Sequence, residues 1–278
     1  MSFHKSGSPA AIATEVTSLF WLAGVPGGAA VAEVVNRGQS WLETRRLAHG
    51  TPSPEDAARF GRRLARTHAA GASHWGAPPP GLRDTDARLA ELPAPVSHTS
   101  RWNSWGEFYA EARLRPYLRL AEVPREARLV LHRAIDLVAE GRFDAPQPAL
   151  VGEVARIHGD LWAGNVMWAI TSGGKGTTGT LLDPSAHGGH AETDLAELAL
   201  FRAPHLDSII AGYQEVSPLA DGWRHRVSVH QFHMVLVHAA LYSGNYIPQA
   251  LTLARRLRGD AERSRRQPVR IGTADLAS

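Results

Sequence analysis

Three oxygen-bearing side chains stand at spacings that suit phosphate chemistry. Asp160 and Asn165 lie five positions apart in "RIHGDLWAGNVMW" (Arg156 to Trp168), and Asp183 closes the apolar run "GTLLD". Gathered into one volume, with no lysine or arginine beside them in sequence, such groups would repel or sit idle without a cation. Mg²⁺ takes oxygen ligands of this kind, keeps part of its water shell and shares it with phosphates. In phosphoryl transfer one carboxylate orients and deprotonates the attacking hydroxyl, while an amide and a second carboxylate hold metal on the moving phosphate. Asn165 is the candidate amide on this reading, and Asp160 and Asp183 are the two candidate carboxylates.

The elements around these residues must bring them together. "NVMWAI" and "GTLLDPS" read as two strands joined by the Gly/Thr-rich "TSGGKGTTG", a hairpin that returns Asp183 to the level of Asp160 and Asn165. The tip does not meet G-x-x-x-x-G-K-[ST], because Gly176 follows Lys175, and it reads as a plain turn. Upstream, residues 9 to 23 predict a helix with Ile12, Val16, Leu19 and Phe20 on one face and Glu15 on its flank. "AAVAEVVNRG" and "SWLETRRL" predict two short strands around a turn at Asn36 to Gln39. The stretch "AHGTPSPED" then divides the chain into a smaller piece, 1–48, and a larger one, 49–278. The larger piece opens on a helix with Ser53 as N-cap, Pro54 in its first turn and Ala57, Phe60, Leu64 and Ala65 as its apolar face, ending near Gly71. Further helices are predicted over "SWGEFYAEARLRPYLRLA", over "PREARLVLHRAIDLVAEG" and from Glu192 to Arg266.

Composition narrows the classes. A chain of 278 residues with 44% hydrophobic and 21% charged residues suits one large globular domain or two unequal ones. It has no run of about 18 apolar residues, so a membrane span is not expected. The first residues lack the pattern of a signal peptide, and the cytoplasm is the expected location. The lack of cysteine excludes disulfides, thiol nucleophiles and thiolate metal sites. The densest basic stretch, Arg255 to Arg270, holds seven arginines without interleaved aromatics and reads as a solvated helix end rather than a nucleic-acid surface. His225, His230, His233 and His238 share one predicted helix but not the H-E-x-x-H spacing, and no zinc site is expected there.

His158, two residues before Asp160, completes H-x-D-x-x-x-x-N followed later by an aspartate, the order and spacing found in protein kinases. "HGDLWAGNVMW" together with "LLDPSAHGGHAETDLAELALF" resembles the fructosamine/ketosamine 3-kinase family, within the aminoglycoside-phosphotransferase-like branch of the kinase fold. "W-x-x-FYAEARLRPYLRLA" and "YQEVSPLADGWRHRV" are similar as well, and the likeness runs from about residue 3 to residue 256.

The resemblance implies an α+β, bilobal, protein-kinase-like fold with a small truncated N-terminal lobe and a large, mainly helical C-terminal lobe. It implies transfer of the ATP γ-phosphoryl group, with Mg²⁺, to the 3-hydroxyl of a ketosamine, an adduct of glucose or ribose with an amine. Because the 3-phosphate is labile, such a reaction would repair glycated amines. Carried to this chain, the resemblance implies Asp160 as base, Asn165 and Asp183 as metal ligands, Lys5 on the ATP phosphates and Glu15 as its partner. Backbone groups near Arg45, Arg46 and Leu47 would meet adenine, and Asp194 would brace the metal-binding loop. His158 is expected to pack the loop, and His187 and His190 to hydrogen-bond the loop or a substrate phosphate. Trp162, Trp223 and the helix bearing Trp105 and Tyr109 are candidate walls of the sugar pocket.

The sequence departs from the family in three places. Only four residues precede Lys5, so the family's glycine-rich hairpin over the nucleotide is expected to be absent from this chain. Arg45 stands where glutamate is usual and Glu43 where an apolar residue is usual, and Ala191 replaces the arginine of "GHRETDL". Two alternatives stay open: phosphorylation of another hydroxylated amine such as an aminoglycoside, and a nucleotide-binding protein that has lost turnover.

Overall fold

The computed structural model describes residues 1–242 and 246–266. The chain begins with β1 (Ser2–Ser6) and α1 (Pro9–Ala23), then β2 (Ala30–Val31), β3 (Val34–Arg37) and β4 (Trp41–Arg45). β1, β4 and β3 form an antiparallel sheet in that order, with Lys5 opposite Leu42. Ser8 caps α1 by accepting from the Ala11 N–H, and Pro9 follows at the first helical position, where its missing N–H costs nothing. Ile12, Val16 and Leu19 pack against Ala32 and Leu42 as the periodicity predicts. Phe20 does not: it is 51% exposed, and the Arg37 guanidinium lies over its ring at 5.4 Å. Leu22 is buried on the inner side instead, where it joins a cluster from the large lobe.

The two pieces read from the sequence are joined by backbone as well as by the linker. β2 runs parallel to a strand of the large lobe, β9 (Thr177–Leu181), pairing Ala30 with Thr180. The linker adds hydrogen bonds from Ile170 N–H to the Ala48 carbonyl and from Gly50 N–H to the Trp168 carbonyl.

In the large lobe, α2 (Pro54–Ala69) starts with a full capping box between Ser53 and Asp56. A short hairpin, β5 (Arg88–Leu89) with β6 (Leu92–Pro93), follows; no strand is predicted there from sequence. The helix expected around "FYAEARLRPYL" is broken into α3 (Trp105–Phe108), a π-helical turn (Tyr109–Leu114) and α4 (Arg115–Leu120). Pro116 supplies the reason: it has no N–H for the Ala112 carbonyl, which the Arg113 guanidinium takes instead at 3.0 Å. α5 (Arg125–Ala139) ends before Gly141, which turns the chain at φ +71°. Then come β7 (Ala155–Ile157), β8 (Val166–Ile170), β9 and β10 (His187–Gly189); β8 and β9 form the predicted hairpin, with Val166 opposite Leu181, and β10 pairs with β7.

Four helices complete the described chain: α6 (Ala191–Leu200), α7 (Leu206–Val216), α8 (Trp223–Tyr242) and α9 (Tyr246–Arg266). The basic stretch therefore belongs to α9 up to Arg266, and its residues 267–270 lie outside the described residues. Among the described residues no helix is long and apolar enough to cross a membrane.

Candidate active site

In the loop after β7 the four N–H groups from His158 to Leu161 are all held. Gly159 makes its turn at φ +78°, and a Cβ there would sit 2.3 Å from the Ser185 carbonyl oxygen, so only glycine fits. His158 N–H and Gly159 N–H donate to the two oxygens of Asp194 at 2.7 and 3.0 Å. Asp160 N–H donates to His158 Nδ1 at 3.2 Å, and Leu161 N–H donates to Glu197 Oε2 at 2.7 Å. With Nδ1 accepting, His158 carries its proton on Nε2 and donates it to the Leu182 carbonyl at 2.8 Å. That bond ties the Asp160 loop to the residue before Asp183.

Asn165 closes the arrangement. Its Nδ2 donates to the Asp160 carbonyl and to Asp160 Oδ2, at 2.8 and 3.0 Å, which fixes the amide so that Oδ1 points elsewhere. The Asn165 carbonyl accepts from Leu182 N–H at 2.9 Å. Asp183 stands at φ +51° with its side chain half exposed. A left-handed aspartate is uncommon, and this one turns its carboxylate out of the hairpin into a cleft.

Lys5 reaches the same cleft from the small lobe. Its Nζ lies 2.8 Å from Glu15 Oε2 and 3.0 Å from Asp183 Oδ1. Burial works against the Lys5 charge, but the two carboxylates outweigh it and raise its pKa. Glu15 is buried, shares its one cation with Asp183, and is pushed up to about 7. Burial, with the Asp183 carboxylate adding to it, pushes the Asp160 carboxyl well above the usual range, although Asn165 opposes this. The cleft measures about 370 Å³, and Lys5, Glu15, Asp160, Asn165 and Asp183 line it together with Trp162, His238 and Tyr242.

The remaining candidates fall elsewhere. Arg45 turns to solvent and pairs with Glu33, and its N–H is taken by the Glu33 carbonyl. Arg46 N–H is taken by the Met1 carbonyl, so of the three expected hinge residues only Leu47 makes no hydrogen bond to the chain among the described residues. None of the three lines the Asp160 cleft. Asp194 holds the His158–Gly159 turn, in the loop that runs on to Asn165. His187 and His190 are buried and bonded to the Ser185 and Ala145 carbonyls, the first in the loop after Asp183, and neither lines the Asp160 cleft. Trp105 and Tyr109 are core residues, and Trp223 borders a separate hollow between α6, α7 and α8. Of these expected sugar-pocket residues, Trp162 alone lines the Asp160 cleft.

His190, Glu192 and His230 bring ligand atoms within 4.8 Å of one another. Both His190 nitrogens are already hydrogen-bonded, and Arg226 donates to both Glu192 oxygens at 2.9 and 2.5 Å, so a cation there would meet a guanidinium. This cluster is a structural ion-pair network.

Sequence reasoning missed Glu197, His238 and Tyr242. Glu197 had a signal, an acid three residues after Asp194 on the same helix. The other two had none, since only the fold brings the end of α8 to the cleft.

A sheet-bearing small lobe, a mainly helical large lobe and an Asp–Asn–Asp cleft between them define the protein-kinase-like fold. Its aminoglycoside-phosphotransferase form is represented by aminoglycoside 2′-phosphotransferase-IIIa, which superposes at a TM-score of 0.51 with 14% identity over 92% of this chain and 83% of that one. The chain belongs to the fructosamine kinase family, whose model matches residues 10–258. A crystal structure of a candidate fructosamine-3-kinase from Thermobifida fusca matches with a TM-score of 0.79 and 35% identity, over 93% of this chain and 85% of that one. A probable ketoamine kinase of Vibrio parahaemolyticus is 31% identical over 199 residues, 71% of this chain and 62% of that protein. The chain spans less than two thirds of the length of this and similar curated relatives.

Proposed function

We propose that this protein is an ATP- and Mg²⁺-dependent kinase that phosphorylates the 3-hydroxyl of a ketosamine. One observation carries the reading: Lys5, Asp183, Asn165 and Asp160, from three separate segments, border one cleft, each held by its own hydrogen bonds or ion pair. The donor set fits a hard cation. Asn165 Oδ1 and the second Asp183 oxygen take no hydrogen bond from the described residues, and both are the oxygen donors such an ion prefers. The bound ion would offset charge on the phosphates. Lys5 is the fixed cation for the same phosphates, and Leu47 offers the free backbone groups for adenine.

Asp160 accepts the proton of the acceptor hydroxyl on Oδ1, since Oδ2 is occupied by the Asn165 amide. The acceptor enters against Trp162, Met234, Val237, His238 and Tyr242, a wall of aromatic and apolar surface. His238 Nδ1 donates to the Met234 carbonyl at 2.8 Å, so the neutral ring presents Nε2 as an acceptor. α8 contributes no carboxylate to this wall, which favours a sugar adduct of one amine over a polycationic aminoglycoside. The need for ATP and the cysteine-free sequence suit the cytoplasm.

Purified protein given ATP, Mg²⁺ and fructosyl- or ribulosyl-lysine should form the 3-phosphate, and Asp160→Asn should slow it by about 10²- to 10⁴-fold. Product from kanamycin but from neither ketosamine would overturn the substrate class. Unchanged turnover in Asp160→Asn would overturn the base.

A further inference from the structure

α6 grips the loop that carries Asp160 with two carboxyl groups one turn apart, and their surroundings differ sharply. Asp194 accepts three hydrogen bonds, from His158 N–H, Gly159 N–H and His68 Nε2, the last at 3.0 Å. Burial works against its charge, but those donors prevail and keep the carboxyl below its usual range. Glu197 accepts one hydrogen bond, from Leu161 N–H, and its side chain is fully buried.

Two orphans meet beside it. Glu197 Oε1 and His233 Nδ1 are both buried without a conventional hydrogen bond, yet they lie 3.4 Å apart. A proton placed between them satisfies both, and its residence is decided by the charges nearby. An ionised Glu197 would place a second buried anion beside the ionised Asp194 on the same helix. Arg113 is the cation in the neighbourhood, but its guanidinium donates to the Pro95 and Ala112 carbonyls and forms no ion pair with Glu197. Around Arg113 and His233 also lie Tyr109 and Tyr117, buried hydroxyls without charge, His187, whose pKa burial holds well below its usual value, and His238.

We propose that Glu197 is a positioning residue for Asp160 and that it acts as a neutral acid, donating Oε1–H to His233 Nδ1 while Oε2 holds Leu161 N–H. Burial and the Asp194 and Asp160 carboxylates push its pKa well above the usual range, and burial with Arg113 pushes His233 well below, in keeping with this assignment. The two carboxyls thus divide the work. The ionised one anchors the turn before Asp160, and the neutral one anchors the residue after it without adding a charge behind the base. The inference rests on the kinase reading for its kinetic consequence, though not for its protonation.

Glutamine reproduces the neutral acid: its carbonyl can accept from Leu161 N–H and its amino group can donate to His233. Glu197→Gln should keep kcat within about twofold of the parent, whereas Glu197→Leu, which orphans the Leu161 N–H, should lower kcat by about tenfold or more with little change in KM for ATP. Amide exchange at Leu161 should be unchanged in the first variant and faster in the second. A protonated-carboxyl band in the infrared spectrum at neutral pH should vanish in Glu197→Gln. The proposal is overturned if the glutamine variant is as impaired as the leucine one, if the leucine variant matches the parent in both kcat and exchange, or if no such band is present. Should the parent phosphorylate no ketosamine, the kinase reading fails while exchange and infrared still decide the state of Glu197.

Discussion

Lys5 is the residue whose role was least legible and whose surroundings now say most. Four residues from the first methionine, it reads on its own as a solvated lysine, and only the family resemblance gave it a task. The structure places it in β1 with two carboxylates on one ammonium, at 2.8 and 3.0 Å. Glu15 signalled this from the sequence by sitting on the flank of an apolar helix face, although its partner could not be read from periodicity. Because one compact ammonium serves both carboxylates, a guanidinium is a poor substitute: its planar fork needs more room and directs its donors differently. Lys5→Met is therefore expected to lower kcat/KM by about 10²- to 10³-fold, the scale of losing one preorganised charge contact. Lys5→Arg should recover less than a tenth of that activity. Steady-state kinetics with ATP varied is the measurement, and full activity in the arginine variant would refute the fit.

At the scale of elements, legibility followed length and locality. The β8–β9 hairpin could be read because its strands are five residues each around a Gly/Thr-rich turn. β7 and β10 pair three residues across an interval of about 30, and β5 and β6 have two residues each; such strands are specified by tertiary contact, not by pattern. The helices α2 and α7 were both expected, but not how closely they meet. A Cβ on Gly61 would lie 2.0 Å from the Ile209 carbonyl oxygen, and one on Gly212 would lie 2.1 Å from that of Ala58. The two backbones touch, and α2 carries His68, which holds Asp194 and through it the turn before Asp160. Gly61→Ala should accordingly destabilise the fold by about 1–3 kcal/mol through overpacking, despite alanine's better helix propensity. Urea unfolding is the check, and a stabilised variant would show that α7 can move aside.

Across the whole molecule, acid sensitivity follows from where the histidines went. Composition gives 14 histidines, which hydropathy alone would scatter over the surface. His158, His187, His190, His230 and His233 are instead fully buried, and burial lowers the pKa of each from 6.5, that of His190 to about 3. These imidazoles stay neutral when folded but take up a proton when unfolded below pH 6.5, so unfolding binds protons and stability falls with pH. Each contributes a loss of about 1.4 kcal/mol per pH unit below that point until its folded pKa is reached. His190, with its folded value at about 3, loses about 1.4 kcal/mol by pH 5.5, and the other four, lowered by the same burial, add to that loss. Glu192 adds a second, lower window. Burial raises its pKa, but hydrogen bonds from His230 and Arg226 prevail and bring it from 4.5 to about 2, so its contribution is intact above 4.5 and fades toward 2. Stability should therefore begin to fall below about pH 6.5, well above the range set by carboxylates. Urea midpoints followed by circular dichroism from pH 7.5 to 5 are expected to fall steeply across this interval. A flat profile down to pH 4.5, with loss only below, would assign acid unfolding to Glu192 and the other carboxylates and remove the histidines from the account.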